Sequence, residues 1–322
     1  MNLNVTYMGL ELSSPIVVSS SPFTSSLGGI ISAAQAGAGA VVLKTVFEEQ
    51  ASLDAESLTQ ESPHTEASDY LSHYIADDLR AHTLQLVERV KQRVDIPIIA
   101  SLNTTSAKQI APFVTSLIAA GIDALELNLS TTPFTGDQTS EHIESRHLDT
   151  VARVAKMSSV PLSVKLPAEF TSVVSMCRRL YDRGAAGVVL YNHPHQPDID
   201  IERITYTQCE GWSTGHELRR VLYGIAFASG SVPQMDFALS GGVHSGADAV
   251  KAVLAGANAV YICSTIHHNG FGVIGSINNF LGEWCYRHNF ERLALARGLL
   301  STASATPENT ALLYRNQYLR QG

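Results

Sequence analysis

Hydrophobic and polar positions along the chain fall into a phrase that recurs four times. A glycine, a small or polar spacer, an apolar run and a closing polar residue appear at 37–44, 121–128, 184–192 and 256–263. A glycine just past a helical pattern is the usual left-handed C-terminal cap, because it has no Cβ to clash there. A short apolar run bounded in this way suits a strand buried on both faces. The phrase therefore marks a helix end, a turn and a buried parallel strand. It also leaves Lys44, Asn128, Asn192 and the Cys263-Ser264 pair at strand C-terminal ends.

The same pattern predicts the remaining elements. A hairpin is expected around Met8 and Gly9, with strands at 15–20, 40–44, 97–101, 124–128, 161–165, 187–192, 236–240 and 259–262. Helices are expected at 30–36, 79–93, 107–120 (capped by Ser106), 142–157, 171–183, 217–229, 245–254 and 270–286. Long polar connections fill 45–78, 129–141 and 193–214, the first rich in Asp and Glu and read as a solvated loop. Residues 291–322 form an appended tail, partly helical. Alternating strands and helices imply right-handed crossovers and a parallel sheet. Eight such units close most economically into an α/β (β/α)8 TIM barrel, here one domain over 1–322 with an N-terminal hairpin and a C-terminal tail. The alternative, a doubly wound open sheet, is disfavoured because no GxGxxG follows the first strand.

Composition narrows the function classes. The chain has 322 residues, 45% hydrophobic and 16% charged, which fits a sizeable core. Its formal net charge of −8 argues against nucleic acid or an anionic membrane as the main partner. There is no apolar run long enough to span a bilayer, and residues 1–12 alternate without a signal-peptide pattern, so a cytoplasmic protein is expected. Cys177, Cys209, Cys263 and Cys285 are far apart, which suits reduced thiols better than a disulfide frame, a zinc site or an iron–sulfur centre. His193, His195, His267 and His268 lack a recognisable ligand pattern, and no metal is expected. Trp212 and Trp284 read as packing residues, not stacking platforms.

If the fold is a barrel, chemistry sits at the strand C-terminal ends. Those ends carry Ser19, Ser20, Ser21, Lys44, Thr45, Ser101, Asn103, Asn128, Ser130, Lys165, Asn192, Ser240-Gly241-Gly242 and Cys263-Ser264. Two lysines closing otherwise apolar strands point to a ligand. Ser240-Gly241-Gly242 before a helix is a candidate phosphate cradle, with Cys263-Ser264 as its second half.

With these residues the chain resembles the dihydroorotate dehydrogenase family of FMN-dependent barrels, closest to the soluble class 1 layout. The likeness covers about 3–287 and is carried by Asn128-Leu129-Ser130, Val164-Lys165-Leu166-Pro167, Lys44 and the two phosphate motifs. The resemblance implies FMN contacts from Ser20, Ser21, Lys44, Thr45, Asn128, Lys165, Gly215, Gly241, Gly242, Cys263 and Ser264. It implies Lys165 near the flavin N1–O2 edge, where a fixed ammonium stabilises the charge gained on reduction. It further implies a small-molecule substrate held by Lys44, Asn128 and Asn192, a soluble or partner-chain electron acceptor, and a homodimer.

The family's base is a cysteine or serine followed by Pro-Asn; here Thr131 holds the base position, beside Ser130 and with Lys44 implied between flavin and substrate, and the Pro-Asn is missing. The family's Asn-x-x-Gly-Leu-Pro-Asn is likewise replaced, by Pro-His-Thr-Glu-Ala-Ser-Asp-Tyr at 63–70. A threonine hydroxyl serves as a base only if a neighbour takes its proton, and the sequence alone names none. The expectation is thus a CH–CH dehydrogenase, with dihydroorotate as substrate if the substrate half is retained. The alternatives are a flavin-binding paralogue without dihydroorotate turnover, an FMN reductase of another small unsaturated substrate, or a flavin-free barrel for a phosphorylated metabolite. A tRNA-modifying flavin barrel is disfavoured by the acidic balance.

Overall fold

A computed structural model describes residues 1–47, 65–104, 107–131, 135–192, 197–208 and 211–313. The expected Ser106 cap, His193, His195, Cys209 and most of the first acidic connection lie outside them. Thirteen strands are named in chain order: β1 Val5–Tyr7, β2 Leu10–Leu12, β3 Ile16–Val18, β4 Ala40–Val42, β5 Val46–Phe47, β6 Ile98–Asn103 and β7 Ala124–Asn128, then β8 Leu162–Leu166, β9 Gly187–Leu190, β10 Asp198–Asp200, β11 Thr205–Thr207, β12 Asp236–Ser240 and β13 Ala259–Ile262.

Eight of these close a parallel barrel in the order β4-β3-β13-β12-β9-β8-β7-β6, and β4 pairs back to β6. The expected (β/α)8 barrel is therefore present, and closure excludes the open sheet. The strands are apolar on both faces because both are covered; Val17, Val41, Ile99, Leu125, Val188 and Val260 are all fully buried. The glycine of each recurring phrase has positive φ: Gly37 at 92°, Gly121 at 100°, Gly184 at 91° and Gly256 at 120°. The sequence pattern had placed them at helix ends for that reason.

Helices flank the barrel at Leu27–Gln35, Thr65–Lys91, Ala107–Ala120, Ser140–Met157, Val173–Asp182, Leu218–Ser231, Gly246–Ala255 and Gly272–Arg287. Several start on side-chain caps: Thr139 accepts from the His142 N–H, Ser172 from Ser175 and Ser245 from Asp248.

Three expectations change. The acidic connection is not a loop as far as Asp78, because a helix already begins at Thr65. Residues 65–91 contain no glycine or proline, and acidic side chains near a helix N-terminus favour the helix. The connection after β9 carries a small antiparallel hairpin, β10–β11, whose Ile201 and Ile204 are 79% and 90% exposed. A six-residue helix, Ser264–Asn269, precedes the closing helix. The tail has a 3-10 turn at Leu293–Ala296 and a helix at Pro307–Leu313.

The barrel floor is laid by the β1–β2 hairpin. The Met8 N–H donates to Asp236 Oδ2 at 2.7 Å, and Asn258 Nδ2 donates to Thr6 O at 3.1 Å and Asp236 Oδ1 at 2.8 Å. Tyr7 is fully buried, edge-on to Tyr261 at 6.3 Å between ring centroids.

Candidate functional site

The C-terminal ends of the barrel strands enclose a cavity of about 280 Å³. Its lining includes Ser20, Ser21, Lys165, Asn192, Gly241, Gly242, Cys263 and Ser264, eight residues that sequence reasoning had singled out. They come from both ends of the chain because β3, β8, β9, β12 and β13 all finish at this face. Lys165 is only 7% exposed and its Nζ lies 3.5 Å from Ser19 Oγ. A buried ammonium that lines a cavity draws anionic ligands.

Gly242 has φ +75°, and a Cβ there would come within 2.5 Å of the Leu218 backbone nitrogen. Only glycine fits this turn. The Gly242 N–H donates to Ser213 Oγ at 3.2 Å, and the Ser213 N–H and Oγ–H donate to Ser264 Oγ at 2.8 and 3.0 Å. Ser213 thereby ties the two halves of the glycine-rich cradle together. Its carbonyl is 2.9 Å from His244 Nε2, and its neighbour Trp212 stacks on His267 with centroids 4.1 Å apart. Trp212 lines the cavity, so it is more than the packing residue expected.

Sequence reasoning missed Ser213 and put the contact at Gly215 instead. Gly215 is exposed and outside the cavity lining, because the chain turns outward after Ser213 toward the helix at Leu218. Lys44 is also displaced. Its side chain is exposed and lines a second pocket with Phe47, Leu79 and His82, since it alternates along the extended chain with Leu43 and Thr45, which are buried. Thr45 stands one bond behind the cavity. Its N–H donates to Ser20 Oγ at 2.8 Å, and the two hydroxyls are 2.8 Å apart. Asn128 pairs in register with Lys165 and is 7% exposed. Its Oδ1 and the Ser21 Oγ are buried without a hydrogen-bond partner among the described residues. Unpartnered buried polar atoms beside a cavity fit a bound polar group.

Past Asn128 the chain turns into the loop that holds Ser130, which is exposed, and Thr131, which is half-buried. Neither lines the cavity. Thr131 does have a partner: its Oγ1 is 3.0 Å from His147 Nε2 and accepts from Arg146 Nη2 at 3.2 Å. Arginine only donates, so the threonine proton is free to point at the histidine. Burial, and then the Arg146 charge, hold His147 down at about 4, so its ring is neutral near pH 7 and able to accept. The sequence signal for this pair was Arg146-His147 on a helix face following the loop.

Among the described residues no His, Cys, Asp or Glu grouping suits a metal ion, and no described helix is long and apolar enough to cross a membrane. Cys177 and Cys285 are buried free thiols and Cys263 is half-buried.

A closed parallel barrel with a glycine cradle and a buried lysine at its C-terminal face is a (β/α)8 enzyme scaffold built for a small anionic ligand. The sequence model of the dihydroorotate dehydrogenase family matches residues 2–284, and the chain belongs to that family. It is 27% identical to a chloroplastic dihydropyrimidine dehydrogenase (NADP(+)) of Arabidopsis thaliana, over 92% of this chain and 76% of that one. It is 24% identical to a dihydroorotate dehydrogenase B (NAD(+)) catalytic subunit of Pyrococcus horikoshii, over 92% and 97%. A second such catalytic subunit, from Methanocaldococcus jannaschii, is 25% identical over 60% of this chain and 65% of the relative. The protein is thus a flavin-dependent oxidoreductase of the dehydrogenase type.

Proposed function

We propose that the chain binds FMN at the cavity and oxidises the CH–CH bond of dihydroorotate. The observation that carries this reading is the convergence of Lys165, Ser20, Ser21, Asn192, Gly241, Gly242, Cys263 and Ser264 on one cavity, with the buried Asn128 Oδ1 unpartnered beside it. FMN when bound supplies the hydride acceptor. Gly241, Gly242, Ser213 and Ser264 hold its phosphate, replacing bonds they now make to one another. Lys165 stabilises negative charge that develops on the ring. Asn128 and Asn192 orient polar groups in the cavity. Thr131 takes the substrate proton and passes its own to His147 Nε2.

Thr131 in the base position and the missing Pro-Asn favour a second reading, in which the substrate is another small unsaturated ring and dihydroorotate is not turned over. The purified protein mixed with FMN is expected to retain it with a resolved visible spectrum. Anaerobic addition of dihydroorotate and of 5,6-dihydrouracil then separates the readings by which one bleaches the flavin. Failure to retain FMN overturns both.

The protein further reads as a cytoplasmic homodimer engaged in pyrimidine chemistry. The exposed Ile199, Ile201, Ile204 and Tyr206 on the β10–β11 hairpin support self-association. Light scattering of the native protein and of Ile201→Asp/Ile204→Asp is expected to report a dimer and a monomer respectively.

A further inference from the structure

Beneath the cavity lies a carboxylate that the proposed chemistry does not use. Glu126, on β7, is fully buried inside the barrel. A chain of hydroxyls leads from it to the cavity wall: Ser101 Oγ donates to Glu126 Oε1 at 3.3 Å, Thr45 Oγ1 is 2.9 Å from Ser101 Oγ, and Ser20 Oγ is 2.8 Å from Thr45 Oγ1. Ser20 lines the cavity. The other carboxylate oxygen, Oε2, has no hydrogen-bond partner among the described residues.

The chain can run in either of two directions. An ionised carboxylate accepts and cannot donate, and each hydroxyl has one hydrogen. Ser101 then spends its hydrogen on Glu126, Thr45 on Ser101 and Ser20 on Thr45. Ser20, whose oxygen also accepts from the Thr45 N–H, offers the cavity no donor in this state. If Glu126 is protonated on Oε1, the oxygen that faces Ser101, every bond reverses. Its O–H donates to Ser101, Ser101 to Thr45 and Thr45 to Ser20, and the Ser20 hydrogen is released toward the cavity. One proton entering at Ser20 Oγ accomplishes the reversal: Ser20 passes its own proton to Thr45, Thr45 to Ser101 and Ser101 to Glu126, so each hydroxyl breaks one O–H bond and forms another, the net gain is one proton, and no electron moves.

The surroundings keep both states within reach. Burial pushes the Glu126 carboxyl up, and Lys165 on β8 and Ser101 on β6 pull it down. The Tyr261 hydroxyl on β13 faces it without closing a hydrogen bond of normal geometry, and Tyr7 of the floor hairpin feels its charge. Protonation also removes the anion that offsets Lys165, so the donor at Ser20 and the uncompensated ammonium appear together.

We infer that Glu126 and the Ser101–Thr45–Ser20 chain form a proton-loaded switch that turns the cavity from acceptor to donor when negative charge arrives there. The charge-bearing ligand is taken to be a reduced flavin, and that part rests on the function proposed above. The switch itself is tested without flavin, by infrared difference spectra of the full-length protein across a pH titration. A protonated-carboxyl band is expected that disappears in Glu126→Gln and shifts in frequency in Ser101→Ala, which leaves the carboxyl in place. Absence of the band, or its persistence in Glu126→Gln, overturns the inference. With FMN loaded, dithionite reduction in weak buffer is expected to take up about one proton more per site in the native protein than in Glu126→Gln or Thr45→Val. Equal uptake overturns it as well. If FMN does not bind, the proposed function fails while the infrared result still decides the switch.

Discussion

Two walls of the barrel mouth are built differently. On one, Gly242, Ser213 and Ser264 are locked by backbone N–H groups and short side chains, at distances of 2.8 to 3.2 Å. On the other, Thr131, Arg146 and His147 meet through side chains alone, from a loop and the helix that follows it. The first wall depends on backbone shape, so it admits few substitutions and keeps the family's phosphate motif. The second depends on which side chains project from a loop, so it can be rebuilt without disturbing the barrel. The chain departs from its family on that second wall, at Thr131. A wall set by backbone shape and a wall set by loop side chains can therefore vary independently on one scaffold.

The sharpest way to break this contrast is to remove what the first wall shares with the cavity floor. Lys165→Met is expected to slow flavin reduction by about 10²–10³-fold, as for loss of one preorganised charge-stabilising group, measured by stopped-flow absorbance with whichever substrate bleaches the flavin. Gly242→Ala forces a Cβ against Leu218 and a left-handed backbone, with an expected cost of about 1–3 kcal/mol in thermal unfolding and loss of FMN retention. An FMN-binding Gly242→Ala protein with native stability would show that the first wall is not backbone-limited.

On the second wall, His147→Gln is expected to lower turnover by about 10²-fold while leaving FMN affinity within a few-fold. Its pH behaviour supplies an independent reading. His147 is 6% exposed and held at about 4 in the fold against 6.5 when free, so the unfolded chain binds more protons between those values. Stability is then present above pH ~6.5 and lost as pH falls toward ~4, by at most about 3 kcal/mol. Denaturant titrations of His147→Gln should show a flatter acid limb than the native protein. Ser213→Ala should weaken FMN binding several-fold in a titration, since it removes one hydroxyl and leaves the backbone turn intact. The smallest effect is expected for Thr131→Ser, which keeps the hydroxyl between Arg146 and His147; its turnover should stay within a few-fold of native.

How much of this was legible follows from the same division. The barrel was readable because each strand is an apolar run behind a capping glycine, a pattern fixed by burial and backbone sterics alone. Gly241, Gly242, Lys165 and Ser264 were readable because they end such strands or follow them directly. Lys44 lies outside the cavity lining because it alternates along the chain with the buried Leu43 and Thr45, and so takes the opposite face. Ser213 was hidden in a long polar connection whose path no periodicity constrains. His147 was hidden because a contact between a loop hydroxyl and a helix side chain sixteen residues later depends on the loop's course. The helix from Thr65 was mistaken for loop because its charges, not its lack of glycine and proline, were given the greater weight.

The floor of the barrel has a consequence for how the molecule comes into being. Met8 and Thr6 lie 228 and 252 residues before their partners Asp236 and Asn258, and Tyr7 is as far from Tyr261. The hairpin pairs within itself, but its contacts to the barrel must wait until those later segments are made. When the eighth strand emerges it closes the ring beside β3 and meets the hairpin from below in the same event. Contacts that span nearly the whole sequence make assembly slow and all-or-none. The buried carboxyl and the lysine above it are thus sealed from water only once the last strand is in place.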